Sequence, residues 1–247
     1  MLSLILTIHN QENIIERVIS SIYTYSSDNI NEIIFILDGC TDNSKKIVTK
    51  LKRDFKVYEL DNVFETKANN FGLKLVENPY AVIVQDDMVI QEKDWDIRLL
   101  KPFNYFTDIF AVTGRTAHNI RCIDNNTVVY YGTADRIHGT ERNKFYIRHV
   151  VNRGPLMLKM DVVKKLNYLD EAFCPLHQDD HDLCLRAYNE GWKSGSYWID
   201  YLSELSWGGT RKGNTSWSEE ADRKNAKIIV SRYSELLKTT WDEERDL

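Results

Sequence analysis

Residues 2–87 alternate apolar runs with helix-period segments, and that order admits few architectures. Residues 2–8 form a short run rich in β-formers. Ile14, Ile15, Val18, Ile19 and Ile22 then recur at helical spacing as one apolar stripe. Residues 33–37 are apolar at every position, as a strand buried on both faces requires. Asp38-Gly39-Cys40-Thr41-Asp42 reads as a turn whose Thr41 or Asp42 caps a helix carrying Ile47, Val48 and Leu51. Residues 56–60 are a third strand, and Ala68, Phe71, Gly72, Leu75 and Val76 mark a third helix. Residues 80–84 are a fourth strand, ending in Gln85-Asp86-Asp87. A βαβαβαβ order predicts a mainly parallel sheet with helices on both faces. Such sheets bind ligands outside the carboxyl ends of their strands. Three of those ends are polar here: Thr7-Ile8-His9-Asn10, Asp38-Gly39 and Asp86-Asp87.

The remainder is less regular. Residues 128–131 and 144–151 read as strands of a smaller mixed sheet, and 160–166 and 180–189 as short helices. The stretch 203–218 is rich in Gly, Ser and Thr and reads as a loop. A charged helix closes the chain from about Glu219, with Ile228, Ile229, Tyr233, Leu236 and Leu237 as its apolar positions. No repeat and no Pro/Gly linker divides the sequence. We therefore read one domain over 1–247, with halves 1–110 and 111–218 and a closing helix over 219–247.

Composition removes several classes. A chain of 247 residues with 43% hydrophobic and 28% charged residues has enough apolar matter for a core. Its net charge of −5 carries no nucleic-acid signature, so no nucleic-acid partner is expected. No apolar run approaches the roughly 18–20 residues that span a bilayer. The N-terminus has no basic segment of a secretory leader. Cys40, Cys122, Cys174 and Cys184 form no CxxC pair, which argues against structural zinc and suits a reducing compartment. A cytoplasmic location follows as the expectation.

Three acidic clusters carry the chemistry. Carboxylates at a buried strand end are costly unless paired or bound to metal, and hard oxygen ligands favour Mg²⁺ or Mn²⁺. Asp86 and Asp87 fit that use, and their plain structural use is a solvated turn. Asp38 suits a turn or cap, or an acceptor for a nucleobase N–H. Asp179, Asp180 and Asp182 crowd one helix start, where the dipole favours acids. Three exceed what capping needs, and one can serve as a general base. His181 and His177 stand beside them as surface residues or as bases.

Together these segments resemble an inverting, nucleotide-sugar-dependent glycosyltransferase of the GT-A fold, family-2 type. Leu4-Ile5-Leu6-Thr7-Ile8-His9-Asn10-Gln11-Glu12 is similar to that family's opening strand, Leu37-Asp38-Gly39-Cys40-Thr41-Asp42 to its DDGSTD turn, and Gln85-Asp86-Asp87 to its DxD motif. Gln178-Asp179-Asp180-His181-Asp182-Leu183-Cys184-Leu185-Arg186 is similar to its EDxDLCLR segment. Lys67-Ala68-Asn69-Asn70-Phe71-Gly72 resembles the ARNxG helix start, and Leu169-Asp170-Glu171-Ala172-Phe173 the GxFDExF stretch. The resemblance implies a Rossmann-like donor half over 1–110 and an acceptor and catalytic half over 111–218. It implies that Thr7, Asp38, Lys67, Asp86 and Arg211 bind the donor, with Asp38 on the base and Asp86 on the ribose. It places a divalent cation, Mn²⁺ or Mg²⁺, on Asp87, makes Asp180 the general base, and sets Asp179 and His181 near the acceptor or sugar hydroxyls.

The departures are specific. Thr7 replaces the family's Pro, His9 its Tyr, Leu37 the first Asp of DDGSTD and Gln85 the first Asp of DxD. The late loop reads Ser206-Trp207-Gly208-Gly209 where the family often places a metal-binding His, so the metal rests on Asp87, diphosphate and water. Arg211 and Lys212 follow as candidate diphosphate ligands. UDP is the default donor nucleotide. The expected acceptor is a glycan, a lipid-linked sugar or a glycoprotein. Arg136, His138, Arg142, Tyr146, Arg148, His149 and Arg153 read as a phosphate-binding or sugar-stacking acceptor side, or as a mixed-charge surface. The closing helix has three candidate docking partners: the domain, a second subunit or a membrane surface. Two other functions compete: a non-catalytic relative that binds glycan or a partner, and a metal-dependent nucleotidyltransferase.

Overall fold

The expected alternation is present in the computed structural model, which describes residues 1–51, 54–208, 215–238 and 242–247. It runs β1 (Leu2–Ile8), α1 (Ile15–Tyr25), β2 (Ile30–Asp38), α2 (Ser44–Lys50), β3 (Lys56–Leu60), α3 (Glu65–Leu75) and β4 (Tyr80–Gln85). There follow β5 (Val89–Ile90), α4 (Trp95–Tyr105), β6 (Ile109–Thr113), β7 (Ala117–Cys122), β8 (Val128–Ala134), β9 (Lys144–Arg148), β10 (Val150–Val151) and β11 (Leu156–Lys159). The chain ends through α5 (Met160–Lys165), α6 (Asp179–Asn189), β12 (Lys193–Ser196), β13 (Tyr201–Leu202), α7 (Thr215–Tyr233) and β14 (Glu243–Asp246).

Among the described residues, nine strands make one sheet in the order β14-β9-β12-β6-β11-β4-β1-β2-β3. The block β4-β1-β2-β3 is parallel, β11 runs antiparallel between β4 and β6, and β9 and β14 extend the sheet antiparallel. The chain moves outward from β1 in both directions, to β2 and β3 on one side and β4 on the other, so the crevice at their carboxyl ends is a topological switch point. A smaller sheet, β10-β7-β8, is antiparallel.

Period-two burial builds two cores. Leu4, Leu6, Phe35, Leu37, Val82 and Val84 face α1, α2 and α4, which contribute Val18, Ile22, Val48, Trp95 and Leu99. Ile5, Ile34, Ile36, Ala81 and Ile83 face the other way, in the core shared with Ala68, Leu73, Val163, Leu183 and Ile229. Gly72 lets α3 lie directly on the sheet: a Cβ there would sit 2.7 Å from Ile5 Cγ2 and 2.8 Å from Ile36 Cδ1.

Several elements differ from expectation, and among them β5, β6, β7, β11, β12 and β13 add strands where the sequence shows no clear alternation. The segment 144–151 splits, β9 joining the large sheet and β10 the small one. The closing helix starts at Thr215, inside the stretch read as a loop, and stops at Tyr233, and 243–246 returns as β14. Alternation explains this: Glu243 and Arg245 share one side, where Glu243 reaches Lys193 at 2.6 Å and Arg245 reaches both oxygens of Asp108 at 2.6 and 2.7 Å. Helix α4 was not foreseen, because Pro102 and scattered charges interrupt its apolar period. Among the described residues no helix is long and apolar enough to cross a membrane.

Candidate active site

A cavity of about 640 Å³ opens outside the carboxyl ends of β1, β2 and β4, and Thr7, His9, Asp38, Asp86 and Asp87 line it. Local hydrogen bonds lace the three strand ends together. Asn10, at φ 53, turns the chain and accepts Thr41 N–H at 2.7 Å. His9 N–H donates to Asp86 Oδ2 at 2.9 Å, and its Nδ1 donates to the Asp38 carbonyl at 2.6 Å. Asn10 Nδ2 donates to His9 Nε2 at 3.2 Å, so the imidazole hydrogen sits on Nδ1.

Asp38 is buried, and its two oxygens accept Val63 N–H at 2.7 Å and Phe64 N–H at 2.9 Å. Burial pushes its carboxyl up, with these two N–H groups pulling against it. Asp38 therefore anchors the loop after β3, and only its remaining lone pairs are open to a ligand. Asp86 is half-buried, and desolvation, with Asp87 beside it, pushes its carboxyl up to about 8. A protonated carboxyl both donates and accepts, the pairing that a ribose diol needs. Thr7 Oγ1 donates to Asn69 Oδ1 at 2.9 Å, which joins β1 to α3 at the cavity wall.

The acids of α6 have different partners. Asp179 is fully buried and paired with the Arg153 guanidinium. Asp182, also fully buried, accepts from Arg186 at 2.6 Å, Arg232 at 2.9 Å and the Tyr233 hydroxyl at 2.6 Å, tying α6 to α7. Among the described residues no guanidinium is hydrogen-bonded to the Asp180 carboxylate, which accepts main-chain N–H groups of Arg153 and His181, each at 3.0 Å. Burial pushes Asp180 up, but His181, Arg153 and those two N–H groups outweigh it and hold the carboxyl below its ordinary value. His181 Nε2 donates to Asn152 Oδ1 at 2.9 Å, and the Tyr130 ring lies 5.6 Å from His181 and 5.2 Å from His118. Burial, then His181, lowers His118 to about 4, so this imidazole is neutral at neutral pH.

Of the expected site residues, Thr7, Asp38, Asp86 and Asp87 come together in the cavity. Asp179, Asp180 and His181 lie outside its lining; Arg153, which holds Asp179, brings its Nε to 3.5 Å from Oε1 of the cavity-lining Glu65. Lys67 is exposed and also outside the lining. Arg211, with Lys212, lies outside the described residues. The basic side expected over 136–153 is dispersed: Arg136 alone of its arginines lines the cavity, Arg142 pairs with Glu92 at 2.7 Å, and Arg148 is buried on the Gly132 carbonyl at 2.6 Å. Glu65, Asn69, Arg115 and Trp217 line the cavity without having been singled out. Helical spacing held a signal for two of them, since Glu65 and Asn69 are four apart on one face and Lys67 is off it.

Among the described residues no three metal-ligating side chains are grouped. The Asp87 carboxylate at the cavity wall is a hard oxygen ligand of the kind that suits Mg²⁺ or Mn²⁺ when substrate phosphates complete the shell.

A family model for "Glycosyl transferase family 2" matches residues 3–166, and the chain belongs to that family. The poly-β-1,6-N-acetyl-D-glucosamine synthase of Staphylococcus epidermidis is 29% identical over 116 residues, 46% of this chain and 28% of that protein. The matched part is thus under a third of the relative's length. The fold is shared with the mannosyltransferase PcManGT of Pyrobaculum calidifontis in complex with GDP-Man and Mn²⁺, at a TM-score of 0.64 and 12% identity over 98% of this chain and 65% of that one. It is also shared with S. aureus TarS 1–349 in complex with UDP-GlcNAc, at a TM-score of 0.64 and 15% identity over 96% and 66% of the two chains. The architecture is the GT-A fold.

Proposed function

We propose that the protein transfers a sugar from a nucleoside-diphosphate donor to a hydroxyl of a glycan-type acceptor, with inversion at the anomeric carbon. The observation that carries this reading is the convergence of Thr7, Asp38, Asp86 and Asp87 in one cavity at the switch point. Thr7 and Asp38 would border the base, Asp86 the ribose, and Asp87 a divalent cation. Such a cation, when bound, offsets negative charge on the diphosphate. Asp180, ionised at neutral pH and without a hydrogen-bonded guanidinium among the described residues, would take the proton of the attacking hydroxyl. The acceptor would approach from the side of His118, Tyr130 and Asn152, with His181 held by Asn152. The new bond joins the acceptor oxygen to the anomeric carbon. The bond to the β-phosphate oxygen breaks, and its electron pair leaves with the nucleoside diphosphate.

UDP is the proposed nucleotide, in keeping with the UDP-GlcNAc complex of TarS, while PcManGT holds GDP-Man. A lipid-linked or glycoprotein acceptor and a cytoplasmic location belong to the same reading. One observation favours donor binding without turnover: Asp180 does not line the cavity. Incubation with UDP-, dTDP- and GDP-sugars, Mn²⁺ and a panel of glycan acceptors separates the readings. Release of nucleoside diphosphate with an inverted product supports transfer. Tight donor binding without release supports the non-catalytic relative, and pyrophosphate release supports nucleotidyl transfer.

A further inference from the structure

Position 85 closes β4 against the cavity, and it carries an amide where the resemblance leads one to expect an acid. Gln85 Oε1 accepts from Arg115 Nη1 at 2.9 Å, and Gln85 Nε2 lies 3.5 Å from Glu65 Oε1. Gly154, at φ +86, packs its bare backbone on this amide, where a Cβ would overlap Gln85 Oε1. The amide is therefore fixed, and it fixes the guanidinium. The Arg115 main chain is held as well: its N–H donates to Thr113 Oγ1 at 3.0 Å and its carbonyl accepts from Ser196 Oγ at 3.1 Å.

Charge on the cavity wall is divided. Asp38, Asp86 and Asp87 stand at the ends of β2 and β4, Glu65 and Glu204 also line the cavity, and its two cations, Arg115 and Arg136 among the described residues, both lie close to Tyr201. Arg136 is partly compensated, with Asp200 Oδ1 at 3.5 Å. Among the described residues no carboxylate lies within ion-pairing distance of Arg115. An acid at position 85 would pair with Arg115 and cancel its charge. The amide orients it and leaves the charge directed at the cavity.

We propose that Arg115 binds the diphosphate of the donor and stabilises the oxygen that receives the electron pair, with Gln85 as its positioning residue. The inference rests on the glycosyltransferase reading. A planar guanidinium suits two phosphate oxygens at once, and charge-assisted hydrogen bonds are the strong ones.

The test is calorimetry on the whole protein with UDP, dTDP and GDP and their parent nucleosides, with Mn²⁺ and with EDTA. For Arg115→Gln we expect affinity for the diphosphate that the wild type binds to fall roughly 10- to 100-fold, the range for losing a hydrogen bond to a charged group. Affinity for the parent nucleoside should stay within about twofold, because the base end is untouched. Arg115→Lys should regain part of the loss. Gln85→Glu, which keeps the side-chain shape and adds a negative charge, should reproduce it. Unchanged diphosphate affinity in Arg115→Gln overturns the proposal and leaves the glycosyltransferase reading standing. Equal losses for nucleoside and diphosphate also overturn it, since they mark a structural role. A wild type that binds none of the three diphosphates overturns the glycosyltransferase reading, and this proposal with it.

Discussion

The main-chain N–H of Arg153 donates to Asp180 Oδ2 over 3.0 Å, so the residue whose guanidinium pairs with Asp179 also anchors the candidate base. Asp180→Asn retains an oxygen acceptor for this bond but has no carboxylate to take a proton. Turnover should fall by about 10²–10⁴-fold with donor affinity preserved, as measured by nucleoside diphosphate release and by calorimetry. Turnover near wild type would remove Asp180 from the role of base.

Asp179→Asn tests the anchor itself. It leaves the Arg153 guanidinium buried opposite a neutral amide, with Glu65 the nearest acid at 3.5 Å. Breaking a buried pair by removing one partner costs about 3–5 kcal/mol. The midpoint of urea unfolding should drop accordingly, and a variant as stable as wild type would show that the pair contributes little.

Asp87→Ala addresses the cation. Nucleotide affinity of the wild type should rise on adding Mn²⁺, and in the variant that increment should vanish while metal-free affinity changes little. Calorimetry that finds the same Mn²⁺ increment in both proteins would take Asp87 out of the metal site.

Gly72→Ala probes the seating of α3. The added methyl would press on Ile5 and Ile36, and overpacking of this kind costs about 1–3 kcal/mol. Thermal unfolding measures the cost. Because α3 carries Asn69, which binds Thr7, donor affinity should weaken in parallel.

The carboxyl of Asp108 offers a pH signature. Hydrogen bonding from Arg245, against some desolvation, holds it at about 2, below its ordinary 3.8. A depressed acid stabilises the fold above its unfolded value, and that contribution disappears as pH falls through the folded one. The stability gap between wild type and Asp108→Asn should be steady near neutrality and close between about pH 4 and pH 2. The gap should be modest, because the pair is partly exposed. A pH-independent gap would mean that the loss is not electrostatic.

Much of the donor half was legible in the sequence because its signals are local. A run such as 33–37, apolar throughout, has one economical use, and the acids that follow it must emerge at a strand end. The acids of α6 were legible as a group but not in their division of labour. Only tertiary partners, Arg153 for Asp179 and Arg232 with Tyr233 for Asp182, single out Asp180. Arg115 and Trp217 gave no local sign, since their places depend on β4 and α7 packing across the cavity. The arginines at 136–153 look like one patch in the sequence, but only Arg136 and Arg142 share a partner, Asp200, while Arg148 turns to the Gly132 carbonyl and Arg153 to Asp179.

Strand β14 occupies the outer flank of β9, and its residues are Glu243, Glu244, Arg245 and Asp246. An open flank of main-chain donors and acceptors invites extended segments from other molecules to add on, and ionised side chains discourage it. With β14 seated, the large sheet ends in a charged border, which favours a protein that stays dispersed at high concentration instead of growing by strand addition.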